Sequence, residues 1–143
     1  MRAGPVLVLL VGLAMPACAA DGSAAPAGIF FPTVPIGEAY PAALMEGVLE
    51  VEDGCVYVAN GGARWLALWP EGYTAALSGG RLEVRDGDGG PVTREGERVT
   101  LGGGEVNPVE VGGSTASTRY ATEQAGQVVP DRCGDLFWLV SPG

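Results

Sequence analysis

The sequence contains no histidine and no lysine, and its eight basic residues are all arginine. Without an imidazole or an ammonium group, no Ser-His-Asp, Cys-His or Ser-Lys nucleophile can be assembled. A zinc site would have no imidazole, on a chain with only three cysteines. Basic residues are also scarce, eight against 17 acidic ones, for a formal net charge of −9. Nucleic-acid affinity comes largely from neutralising phosphates, so an acidic chain with no basic stripe is a poor fit to that class. The same deficit leaves little electrostatic attraction to an anionic membrane surface. Nor is there an apolar run of the about 20 residues that a spanning helix needs.

What is present begins with a leader. Met1 and Arg2 precede the apolar run VLVLLVGLA at residues 6–14, followed by MPACAADGS. A cationic start, a short apolar core and small residues form the pattern of a secretory signal peptide. Met15-Pro16-Ala17-Cys18 resembles the lipobox of bacterial lipoprotein precursors, with Ala17 and Cys18 matching and Met15 standing where Leu is usual. The resemblance implies that the sulfur of Cys18 receives a diacylglycerol and that cleavage makes Cys18 the new N-terminus. The competing reading is ordinary cleavage after the A-x-A run Ala17-Cys18-Ala19, which releases a soluble secreted protein. Cysteine count favours the lipid. Cys55 and Cys133 are expected to pair in an oxidising compartment, and Cys18 is then the odd thiol that needs a reason.

Three segments follow from this: a signal peptide at 1–17, a lipid-anchor Cys and Pro-rich tether at 18–41, and a β domain at 42–143. The apolar triplet Ile29-Phe30-Phe31 within the tether is expected to pack on the domain's rim, with an exposed partner patch as the alternative.

The domain reads as all-β, a small single-domain barrel of OB-like or Greek-key type with about six strands. The 24 glycines and 11 prolines, scattered singly and in turn-like pairs, suit short strands and tight turns. The densest apolar stretch, residues 44–73, holds consecutive strands joined at Asp53-Gly54 and Asn60-Gly61-Gly62. Residues 64–69, RWLALW, are apolar on both faces and are expected to form a central strand covered on both sides. Residues 82–85 alternate as a strand, and Asp86 to Gly90 form a turn. Val99 and Leu101 point inward, and Gly102, Gly103 and Gly104 are expected to bend or bulge the chain. Val106, Val109 and Val111 mark an edge strand, residues 114–127 a polar surface loop with one helical turn near Thr122, and residues 136–140 a last buried strand. The mature part is similar to small exported bacterial proteins that carry a Gly-Cys strand, a Trp-Pro-x-Gly turn, a triple Gly and a Cys-Gly near the C-terminus.

No catalytic, cofactor-binding or metal-ligating set is expected. Ser114 has no evident base. The triple glycine is not followed by Gly-Lys-Ser/Thr, so it is no phosphate loop. Asp86, Asp88 and Glu97 are faintly spaced like a calcium loop, but Pro91 stands where the sharp-turn glycine belongs. The aromatics Tyr57, Trp65, Trp69, Tyr73 and Trp138 are expected in the core, with a ligand groove as the alternative. The reading is an exported, lipid-anchored envelope protein with a non-enzymatic binding or structural role, joined to the membrane through Cys18. Its partner would be a protein, wall polymer or small ligand. Contact is expected through the loops at residues 74–80 and 114–127, with Tyr73, Ser114, Arg119 and Tyr120 as contact residues. The alternatives are a small carboxylate-based hydrolase and an exported inhibitor.

Overall fold

The computed structural model describes residues 24–106 and 112–143; the leader, Cys18, Val109 and Val111 lie outside the described residues. Nine strands and one α-helix are present among them. Strands β2 (Ala43–Glu52), β3 (Cys55–Asn60) and β4 (Ala63–Pro70) form an antiparallel meander. The two turns that join them are those expected. Asp53 (φ 50°) and Gly54 (φ 75°) lie between the paired Glu52 and Cys55, and Gly61 and Gly62, also at positive φ, between Asn60 and Ala63. Two successive positive-φ residues give a hairpin turn whose twist matches the strands it joins. Strand β8 (Arg98–Glu105) pairs with β2, and β9 (Phe137–Val140) pairs antiparallel with β8 and parallel with β4. That last pairing closes a five-stranded barrel in the order β2-β3-β4-β9-β8-β2, an OB-like Greek key.

Four strands stand outside the ring. β1 (Thr33–Val34) lies parallel to the end of β4. β5 (Thr74–Ser78), β6 (Arg81–Arg85) and β7 (Pro91–Arg94) form a separate antiparallel sheet between β4 and β8. Residues 74–80 are therefore a strand and a tight turn, not a loop. Thr-Ala-Ala-Leu-Ser has little strand propensity of its own, and its pairing with β6 overrides that.

Two apolar clusters are separated by the barrel wall. Inside the ring lie Leu49, Val56, Val58, Ala67, Trp69, Val99, Leu101, Trp138 and Val140, joined by Ala75, Leu82 and Val84 of the added sheet. Outside it, Cys55, Tyr57, Leu66, Leu68 and Phe137 are covered by Val34, Val106, Ala121 and Val129. Strand β4 serves both, with Ala67 and Trp69 inward and Leu66 and Leu68 outward, all four fully buried. A fully buried leucine contributes about 1.5–3 kcal/mol, so apolar residues on both faces of one strand bind the ring to its cover.

The triple glycine carries no bulge; β8 continues through it with no register shift toward β2 or β9. Neighbouring segments crowd it instead. A Cβ on Gly103 (φ 138°) would stand 1.8 Å from the Leu139 carbonyl oxygen, and one on Gly104 would stand 2.4 Å from Pro41. Residues 114–127 are not a loop either. Ser114–Ala125 form helix α1, ended by Gly126 in the left-handed conformation. Its polar sequence hid it, because the only residue fully buried on the described part of its face besides Ser117 is the small Ala121.

The chain is bound to the domain well before residue 42. The Ala24 carbonyl accepts from the Ala75 amide at 2.7 Å, Ala24 and Ala25 pack on the inner cluster, and Phe31 stacks on Trp69 with centroids 5.4 Å apart. The apolar triplet thus packs as expected, through Phe31. Cys55 and Cys133 form a disulfide, both residues essentially inaccessible. It ties the start of β3 to the 3-10 turn Asp131–Cys133.

Candidate functional site

One concavity arises from how β2 divides its partners. Its first half pairs with β8 and its second half with β3, so the two neighbours diverge near Val48, the residue paired to both. An open groove of ≈ 450 Å³ results, lined by Glu46, Val48, Asn60, Arg98 and Thr100 among others. Register places Glu46 opposite Thr100 and Val48 opposite Arg98. The groove therefore offers one carboxylate, one guanidinium, one hydroxyl and one amide. That set can hydrogen-bond a polar ligand. It holds no second acid with which a carboxylate pair could work. Its sequence signal was Gly47, a lone glycine within an alternating strand, which marks close backbone approach. A Cβ there would lie 2.6 Å from Val58 Cγ1.

A shallower concavity of ≈ 390 Å³ lies alongside, lined by Glu50, Glu52, Arg64 and Glu95 among others. Two of its acids are engaged. Glu52 pairs with Arg64, whose guanidinium lies 5.0 Å from the Tyr57 ring centroid, and Glu95 Oε2 accepts from the Leu82 amide at 3.1 Å.

Glu83 is buried in the added sheet, with Arg94 Nη2 at 2.6 Å and Arg85 Nη2 at 2.7 Å. Hydrogen bonds from Arg94, then Arg85, hold its carboxyl below the usual carboxylate range. A general acid at neutral pH needs the opposite shift. The Tyr57 hydroxyl donates to the Arg132 carbonyl at 3.3 Å; burial, with Asp53 adding, raises its pKa and keeps it a donor. Arg132 Nε donates to the Asp53 carbonyl at 2.8 Å. These two bonds flank the disulfide and are structural.

The expected contact residues do not form one surface. Tyr73 is a correction as a contact residue and sits in the core as expected of the aromatics: it is buried in the inner cluster, its ring 6.2 Å from that of Trp69. Tyr120 packs against the outer cluster, Arg119 is exposed, and Ser114 opens α1. Trp69, Tyr57 and Trp138 are core residues, and Trp65 is half-buried. At the calcium-like turn, Asp86 Oδ1 accepts from the amides of Asp88 and Gly90, a local turn bond. Among the described residues no group of three metal-ligating side chains comes together, and no helix is long and apolar enough to cross a membrane. No family model, no curated protein and no solved structure matches the chain.

Proposed function

We propose that the protein is an exported, lipid-anchored envelope module with a binding or structural role and no catalytic one. The observation that carries this reading is the buried Cys55–Cys133 disulfide. Such bonds persist in oxidising compartments, and this one accounts for two of the three cysteines. Cys18, in its lipobox-like setting, is left for the diacylglycerol. Two acyl chains anchor stably without help from basic residues.

The surfaces support a non-enzymatic role. Glu83 is held ionised between two arginines. OB-like barrels take oligonucleotides and oligosaccharides on the outer face of their second and third strands. Here the corresponding face of β3 and β4 lies under α1 and its flanking segments. The uncovered β2–β8 face carries Glu46 and Glu50, which disfavours nucleic acid and leaves the groove beside Arg98 as the place for a polar partner group.

Replacing Cys18 by Ala tests the reading. The wild type is expected in the detergent phase of a Triton X-114 partition and the variant in the aqueous phase. Equal partitioning of the two would remove the lipid anchor.

A further inference from the structure

The covalent path from Cys18 to the folded domain is short. Ala24 is already hydrogen-bonded to Ala75 and packed on the inner cluster. Six residue positions separate Cys18 from Ala24. Whatever conformation they adopt, they span at most about 20 Å. A domain of about 120 residues has a radius of gyration near 14 Å and hence a diameter of roughly 35 Å. A cord shorter than the diameter, fixed at one point of the surface, cannot let the opposite side reach the plane it is tied to.

The point of attachment lies on β5. Two residues along that strand, about 7 Å away, Leu77 is 63% exposed. It shares a face with the buried Ala75, and its cross-strand partner Leu82 is buried too, so Leu77 overhangs the end of the core. Residues 74–82, TAALSGGRL, contain no carboxylate, on a chain with 17. The only charged residue of that stretch is Arg81, which reaches the Glu95 carbonyl at 3.2 Å and the Glu97 carboxylate at 4.0 Å. On the sheet's other face, Arg85 and Arg94 surround the single carboxylate of Glu83.

We infer that the β5–β6 hairpin is the face this protein lays on the lipid bilayer, Leu77 entering the headgroup region. This rests on the lipid anchor proposed above. The rest of this acidic molecule is repelled by an anionic leaflet. The hairpin's outer stretch, residues 74–82, contains no acid and exposes Leu77, and it lies where the cord is fixed.

The test uses the full lipidated protein in phosphatidylethanolamine–phosphatidylglycerol vesicles containing headgroup-nitroxide lipid. A bimane probe is placed through Leu77→Cys, or through Val128→Cys beside the outer cluster, where the side chain is 79% exposed. The native disulfide is buried and does not compete for label. Quenching at position 77 is expected to exceed that at 128 at least twofold. A 12-residue Gly/Ser insert between Ala20 and Asp21 should bring the ratio towards one. Flotation with equal quenching at the two positions, or a ratio unaffected by the insert, overturns the bilayer-facing hairpin and leaves the anchor standing. Failure to float overturns both.

Discussion

At the scale of single residues, Gly103 is the most constrained position described. Its φ of 138° is one that side chains rarely adopt, and the Leu139 carbonyl occupies the place of a Cβ. Backbone strain costs about 1–3 kcal/mol and overpacking a similar amount. Gly103→Ala should therefore lower stability by about 3 kcal/mol, read from the urea midpoint. Gly37→Ala, with negative φ and only the Ala39 carbonyl oxygen at 3.7 Å, should change it by less than about 0.5 kcal/mol. The sequence announced that something unusual happens at the triple glycine but not what. A bend and a close approach of neighbouring chains both call for a missing Cβ, and only the passage of β9 and Pro41 distinguishes them. Gly47 is a parallel case: the glycine was visible and the groove beside it was not, because the groove depends on which strands flank β2.

Among elements, the added sheet is held together on its outer face by Glu83, which faces Arg94 across the β6–β7 pairing. The depressed pKa fixes the sign of its pH dependence. The contribution is complete above the ordinary value of 4.5 and is lost as pH falls through the lower folded value. Glu83→Gln should thus unfold at lower urea than the wild type at pH 7, while the two midpoints converge as the pH falls through the lowered folded value. Midpoints that stay separated by the same amount at every pH would contradict this. Elements with strong period were legible: β2, β3, β4, β6 and β9 follow from alternation or from apolar residues on both faces. The misses were β1, β5, β7 and α1. Thr-Ala-Ala-Leu-Ser and STASTRYATEQA carry small and polar residues whose structure is decided by pairing and docking, which local pattern does not encode. Tyr73 was read both ways, as a core aromatic and as a contact residue, and its burial upholds the first.

On the scale of the whole molecule, the disulfide joins positions 78 residues apart. Chain entropy for such a loop gives about 4–5 kcal/mol, and measured values usually fall to about 2–4. Domains of this size are stable by about 5–15 kcal/mol in total. The Cys55→Ala/Cys133→Ala double variant should therefore lose a large part of its stability, with an unfolding midpoint lowered by about 10 °C or more. Thermal melting followed by far-ultraviolet circular dichroism measures this, and an unchanged midpoint would show that the barrel and its cover suffice alone.

Ring closure has a temporal side as well. β4 meets its parallel neighbour only when residues 137–139 arrive beside residues 66–68, and both belong to the slowest kind of pairing, distant in sequence. Until that final segment has emerged from the ribosome, the ring stays open between β4 and β8. For the export proposed above, such a delay helps a chain that is threaded outward unfolded, since the ring cannot close before its last strand is made.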